Sequence, residues 1–182
     1  MSLFELVEYT DALAPEFLRI NREWIEAMYV MEAHDHEVLD HPREHIIDPG
    51  GTILFVSDPD LGIVGACALM KIEDGVFELT KMGVSAAARG RKAGEFLLAA
   101  MIARARTLPI TTLFLLTNKR SEAAIHLYEK FGFIHDPAIM ARYGRLYARC
   151  DVAMSYPLPS VQRKPLPRDA EEGGKNGFPG AL

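Results

Sequence analysis

The residues best suited to chemistry lie in one short run, Ser85-Ala86-Ala87-Ala88-Arg89-Gly90-Arg91-Lys92-Ala93-Gly94. A strand-like segment ends before it and helical spacing begins after it. The start of a helix presents backbone N–H groups that have no partner within the helix, and it attracts negative charge. Gly90 and Gly94 remove side chains where a ligand must come close, and Arg89, Arg91 and Lys92 add positive charge. Together they suit a phosphate or pyrophosphate. A basic, solvated helix start has the same composition, so glycine spacing alone decides little. Two nucleotide sites are excluded by what surrounds the run. A Walker loop would close on Gly-Lys-Ser/Thr, whereas Gly94 is followed by Glu95-Phe96. A dinucleotide fold would put the loop after the first strand of a parallel unit, whereas three strands with tight turns precede it here.

Two other constellations carry less. His34-Asp35-His36, with His41 and His45, invites a metal. His34 and His36 do not share a helix face, however, and no second tight cluster completes a site; no metal is expected. Cys67 and Cys150 lie in strand-like segments and read as core residues of a reducing compartment.

The elements that must position the loop follow from periodicity. Leu3 to Tyr9 reads as a strand. Phe17, Ile20, Trp24, Ala27, Met28 and Met31 then share one helical face, and a short helical piece begins at Pro42. Thr52–Ser57, Ile63–Ile72 and Val76–Val84 form an antiparallel meander, with Asp58-Pro59-Asp60 and Glu73-Asp74-Gly75 as turns. A helix through Ala93, Phe96, Leu97, Ala100 and Met101 comes next. It is followed by a strand at Thr111–Thr117, a helix that Ser121 is able to cap and that Gly132 ends, and a strand at Asp151–Tyr156. The expected fold is α+β, a mixed, mostly antiparallel sheet flanked by helices in the order βαα-βββ-αβα-ββ. Residues 1–159 form one domain. The stretch 160–182, rich in Pro and Gly, reads as a flexible tail.

At this point the sequence resembles the GNAT superfamily of N-acetyltransferases. The family's Gln/Arg-x-x-Gly-x-Gly/Ala signature stands here as Arg89-Gly90-Arg91-Lys92-Ala93-Gly94, with Lys92 in place of the middle glycine. The family's Asn-x-x-Ala-x-x-Leu-Tyr-x-x-x-Gly-Phe segment is similar to the run from Asn118 to Phe133. The resemblance spans roughly Phe4 to Tyr156 and implies acetyl-CoA as cosubstrate. It assigns cofactor binding to Met82, Gly83, Val84, Arg89, Gly90, Arg91, Lys92, Ala93, Gly94, Glu95, Asn118 and Ser121. Within that set, strand amides at Met82, Gly83 and Val84 would hold the pantetheine arm, with Gly83 easing a bulge. Glu78 becomes the base that deprotonates an amine, and Tyr128 the acid that protonates the departing thiolate. Strand alternation would put Glu78, Thr80, Met82 and Val84 on one face. Glu32, Asp35 and Asp40 would lie in a loop lining the acceptor side, where an acidic rim favours a cationic amine. The rival from another class is a non-catalytic acyl-CoA sensor. Homodimers are common in the family.

Composition sets the outer bounds. The chain has 182 residues, 49 % of them hydrophobic, and a net charge of -5. That length fits one domain with a real core. The charge opposes nucleic acid as the main partner. No apolar run approaches the roughly 18 residues of a membrane helix. Glu5, Glu8 and Asp11 give the first residues the wrong sign for a leader peptide, so the cytoplasm is expected. The expected partner is a small-molecule amine, with neither nucleic acid nor membrane.

Overall fold

The computed structural model describes residues 3–159. The expected tail, 160–182, lies outside the described residues. Among the described residues, seven strands form one sheet in the order β1-β2-β3-β4-β5-β7-β6. Its centre is the expected meander: β2 (Thr52–Asp58), β3 (Gly62–Glu73) and β4 (Val76–Val84). Strand β1 (Glu5–Glu8) adds to the outer side of β2, antiparallel. On the other side, β5 (Thr112–Thr117) runs parallel to β4, β7 (Val152–Tyr156) pairs antiparallel with β5, and the two-residue β6 (Ile134–His135) closes the edge.

Strand alternation in β2 and β3 supplies two cores, one on each face. Leu54, Val56, Cys67 and Leu69 point to one face, where they meet Leu97, Leu98 and Met101 of α3 (Ala93–Ala105). Ile53, Phe55, Ala66, Ala68 and Met70 point to the other. There they bury Phe17, Ile20 and Ile25 of α1 (Ala14–Met28) and Val38 and Leu39 of α2 (Ala33–Asp40). Both faces are covered, so these strands read as continuous apolar runs. Helix α4 (Glu122–Lys130) follows β5, and α5 (Pro137–Tyr143) stands between β6 and β7.

Two elements depart from the sequence reading. The stretch Glu32–Asp40, expected as a loop, is largely helix α2. A reciprocal capping box starts it: the Glu32 side chain accepts from the third-position backbone N–H, and Asp35 accepts from the Glu32 N–H at 2.9 Å. Helix α5 has no counterpart in the reading. Asp136 caps it by accepting from the N–H groups of Ala138 and Ile139, with Pro137 in the first turn.

Candidate active site

The site begins with an irregularity in β4. Thr80 lies opposite Ala68, but Gly83 lies opposite Ala66, so β4 carries one more residue than β3 across this interval. The extra residue forms a bulge in which Lys81 takes a left-handed conformation, φ +51°. Beyond a bulge the alternation changes sides. Glu78, Thr80 and Gly83 therefore face α1 and α2, whereas Met82 and Val84 pack toward α3 and α4. This corrects the expectation that Glu78, Thr80, Met82 and Val84 share a face. Gly83 is not the bulge. Its role is close approach, since a Cβ there would stand 2.4 Å from Cδ1 of Trp24 on α1.

Strands β4 and β5 pair only from Val76↔Thr112 to Glu78↔Phe114 and then part. A cavity of about 610 Å³ fills the gap between them. Met82, Gly83, Val84, Arg89, Asn118, Ser121 and Tyr128 all line it. The Ser85 N–H donates to the Val64 carbonyl at 2.7 Å. Val84 and Gly65 are thus the alternate pair that exchanges no hydrogen bonds, and the Val84 N–H points away from β3 toward the opening. Thr80, Lys81, Tyr147, Arg149 and Cys150 form the cavity's other wall.

The loop before α3 is tightly wound. Gly90 has φ +77°, and Lys92, the residue before the helix, has φ +66°. Lys92 thus adopts the conformation that glycine tolerates best. A Cβ on Gly94 would meet Leu127 at 3.4 Å, an ordinary contact, so packing within the protein does not demand a glycine there. The three cations of the loop do not act together. Arg91 donates to Asp58 at 2.9 Å, and Glu95 pairs with Lys130 at 2.8 Å. Arg91, Lys92 and Glu95 border a second depression with Phe4 and Phe96, and Ala93 is buried beneath the helix start. Of the loop's three cations, Arg89 is the one whose side chain lines the main cavity.

Behind the cavity lies a buried polar network. Asp35 on α2 is fully enclosed. It receives Lys81 Nζ at 2.6 Å and both guanidinium nitrogens of Arg149, at 2.6 and 2.8 Å. Burial opposes its charge, but the Arg149 and Lys81 cations outweigh burial and hold the carboxyl well below the usual carboxylate range. Lys81 Nζ also donates to the Tyr147 hydroxyl at 3.1 Å. Burial pushes the Lys81 ammonium down against the pull of Asp35, and burial raises the Tyr147 phenol well above its ordinary value. Glu78 completes the group. It is 1 % exposed, its Oε2 is without a hydrogen-bond partner, and burial pushes its carboxyl up to about 7. Glu78 does not line the cavity. Thr80, two residues on and on the same face of β4, does.

This network also removes the expected acidic rim. Asp35 is inside the protein, and Glu32 accepts from the N–H groups of Ala148 and Arg149, both at 3.1 Å. Among the described residues no group of three His, Cys, Asp or Glu side chains is arranged to hold a metal. Cys67 is buried as expected, but Cys150 stands in the cavity wall beside Arg149 rather than in the core. Burial pushes the Cys150 thiol up to about 12.

The remaining predicted residues shape the walls. Asn118 donates through Nδ2 to the Arg149 carbonyl at 2.6 Å and accepts from the Arg120 N–H at 2.8 Å. It therefore ties the end of β5 to the segment before β7. Ser121 makes no side-chain cap. Its hydroxyl shares a 2.9 Å hydrogen bond with Tyr29 and links the start of α4 to the end of α1. Tyr128 is 8 % exposed, and its phenol is raised by burial and by the nearby Cys67. Sequence reasoning missed Lys81, Tyr147 and Arg149, and it placed Asp35 on the acceptor rim rather than inside the protein. A lysine in the middle of a largely buried strand was the one signal for the first; Tyr147 and Arg149 lie in a stretch with no periodicity.

The sequence profile of the Acetyltransferase (GNAT) family matches residues 15–133. The chain belongs to this family. No relative among the curated proteins matches. Solved structures carry the same fold. A GNAT-family acetyltransferase from Staphylococcus aureus Mu50 superimposes with a TM-score of 0.74 at 18 % identity, covering 84 % of this chain and 98 % of the other. An acetyltransferase from Streptococcus agalactiae 2603 gives 0.74 at 18 % identity, covering 87 % and 100 %. A spermidine N-acetyltransferase chimera from Vibrio cholerae gives 0.63 at 18 % identity, covering 85 % and 95 %. The GNAT fold expected from the two sequence signatures is the fold observed, a mostly antiparallel mixed sheet of seven strands between helices.

Proposed function

We propose that the protein is an acetyl-CoA-dependent N-acetyltransferase acting on a primary amine of a small-molecule acceptor, by direct transfer in a ternary complex. The observation that carries this reading is the open gap between β4 and β5, with the Val84 N–H facing it and the basic start of α3 at its side. Those features fit a long, narrow ligand with a phosphorylated end. The amides of Gly90, Lys92, Ala93, Gly94 and Glu95 and the Arg89 side chain would hold the pyrophosphate. Met82, Gly83, Val84, Asn118 and Ser121 would border the pantetheine arm.

Bound acetyl-CoA supplies the acetyl group as a thioester: its acyl C–S bond breaks as the C–N bond forms, the amine gives up a proton and the thiolate gains one. The chain's own groups meet each need. The Val84 N–H is preorganised for negative charge growing on the carbonyl oxygen. Tyr128 stays protonated at neutral pH and serves as the acid. Glu78 titrates near neutrality and serves as the base. The free thiols Cys67 and Cys150 fit a reducing, cytoplasmic setting. Much of the acceleration comes from positioning, without a covalent enzyme intermediate.

The test is release of free thiol from acetyl-CoA across a panel of cationic, neutral and anionic amines. Amine-dependent release supports the reading. Tight CoA binding with no release from any amine would instead favour a sensor.

A further inference from the structure

The cavity between β4 and β5 has two sides. Met82 and Val84 pack toward α3 and α4, and the cofactor reading uses that side. The other side lies against the end of α1 and the segment before β7, where Trp24, Tyr29, Tyr147 and Arg149 form the wall. An acceptor that enters there meets cations. Among the described residues, Lys81, Arg89, Arg120 and Arg149 line the cavity against one carboxylate, Glu122. Building on the transferase reading, we infer that the acceptor is an amine bearing a carboxylate, which Arg120 and the Arg149 Nε–H hold at the cavity mouth.

The four cations differ in what they have left to offer. The Lys81 side chain is 1 % exposed and is held by Asp35. Arg89 belongs to the loop before α3, on the phosphate side. Arg149 remains 12 % exposed, and Asp35 takes a hydrogen bond from each of its two terminal nitrogens. A guanidinium carries five N–H donors, and the Arg149 Nε–H has no hydrogen-bond partner among the described residues. Arg120 is exposed, and no carboxylate pairs with it among the described residues, Glu122 included. The two guanidiniums share one ring: Arg120 Cζ lies 5.4 Å and Arg149 Cζ 5.9 Å from the centre of Tyr29. The Tyr29 hydroxyl is tied to Ser121 at 2.9 Å, so the end of α1 and the start of α4 hold both cations at one mouth. Planar N–H donors of this kind match the two oxygens of a carboxylate.

The aromatic wall points the same way. Ring faces attract cations, and a cationic acceptor would be recognised on them. Here the protein's own cations occupy them. Arg149 Cζ lies 4.9 Å from the centre of the Tyr147 ring and 6.0 Å from that of Trp24, and Lys81 Nζ lies 4.5 Å from that of Tyr147. A polyamine would meet like charge at each of these rings. Asp35 and Glu32 lie behind the wall and offset Lys81 and Arg149, which leaves Arg120 as the uncompensated charge of the mouth. The same cations act on the amine. Like charge disfavours its protonated form, and only the neutral amine attacks the thioester. The carboxylate supplies the attraction that an ammonium group alone would lack at this wall.

The experiment measures thiol release from acetyl-CoA with two matched pairs of acceptors: leucine against leucinamide, and γ-aminobutyrate against putrescine. The pairs keep the carbon skeleton and change the charge, and they differ from each other in the distance between amine and carboxylate. In the parent, the acid of at least one pair should exceed its partner by 10-fold or more in kcat/KM, and its KM should rise with salt as screening weakens the attraction. Arg120 is exposed, so Arg120→Ala removes no core packing. That variant should reduce the acid's advantage by 10-fold or more, through KM rather than kcat, with CoA affinity retained in calorimetry. Arg120→Glu should carry the preference toward putrescine. Equal kcat/KM within both pairs, or a preference for putrescine in the parent, would overturn the carboxylate acceptor and leave the transferase reading intact. An Arg120→Ala protein that loses CoA affinity and keeps the acid's advantage would overturn the role given to Arg120. A parent protein that binds CoA yet releases no thiol with any amine would overturn both the acceptor and the transferase reading.

Discussion

At the residue scale, Glu78 pays in stability for its readiness to take a proton. Its carboxyl is raised from 4.5 to about 7 because burial disfavours the charged form. Between those values the folded state binds more protons than the unfolded chain, so stability falls as pH rises through the interval. The destabilisation is complete above pH 7 and absent below about pH 4. Glu78→Gln should therefore raise stability at pH 8 by an amount on the order of 3 kcal/mol and leave it nearly unchanged at pH 4. Urea unfolding at the two pH values measures the difference. The same variant should lose about 10²-fold or more in kcat/KM at neutral pH, the scale of general base catalysis. A gain in stability coupled to a loss of rate is the signature of a functional buried acid. Unchanged activity alongside the stability gain would reduce Glu78 to a structural residue. Tyr128 permits a simpler comparison: Tyr128→Phe keeps the ring's 5.8 Å edge contact with Phe133 and removes only the hydroxyl. Its effect should fall on kcat, with CoA affinity retained.

At the scale of elements, two devices hold strained or polar backbone where the site needs it. Helix α2 docks through Asp35, whose two cationic partners are themselves largely buried. Such a network gains little net energy when intact, but removal of one member leaves an uncompensated charge. Asp35→Asn should cost about 3–5 kcal/mol at neutral pH. Because the folded carboxyl lies far below its unfolded value, that stability is present above about pH 4 and is lost as pH falls further. The gap between parent and variant should therefore narrow in acid, which unfolding curves from pH 7 to 3 will show. The loop before α3 presents the second device. Lys92→Gly and Lys92→Ala remove the same charge, but only glycine relaxes at φ +66°. Lys92→Gly should be the more stable of the two by about 1 kcal/mol.

These elements also show what the sequence could disclose. Meander, central helix and the segment from Asn118 to Phe133 were legible because each has regular spacing and its own turn or cap. Helix α2 was not, since its eight residues hold only Val38 and Leu39 as buried apolar side chains and its stability rests on the capping box and Asp35. The facing of Glu78 was not legible either. Strand periodicity presumes an unbroken register, and nothing in Leu79-Thr80-Lys81-Met82 marks a bulge. Lysine is a poor candidate for a left-handed residue. It is held there by partners 46 and 66 positions away, Asp35 and Tyr147, and such contacts exist only once the chain has folded.

At the scale of the whole molecule, the cleft between β4 and β5 is a wedge in the middle of the sheet. The two cores meet on either side of it, one beneath α3 and one beneath α1 and α2. A ligand bridging the wedge would link halves of the sheet that pair directly over three positions only. CoA should therefore stabilise the folded chain by about 2.7 kcal/mol at a hundred times its dissociation constant. Hydrogen exchange should slow at Met82–Val84 and at the start of α3 more than at β1, which lies at the far edge. The phosphates and the pantetheine arm can be separated with ligands. Arg89→Ala combined with Lys92→Ala removes the two loop cations that are not paired with Asp58, and it should weaken CoA by 10-fold or more while a pantetheine fragment without phosphates binds as before. The CoA loss should shrink as salt rises, since screening already weakens exposed charges. Calorimetry with both ligands at two salt concentrations decides the matter. Equal losses for both ligands would mean that the double variant disturbs the loop's winding rather than its charge, and the phosphate assignment would then pass to the backbone amides of the α3 start alone.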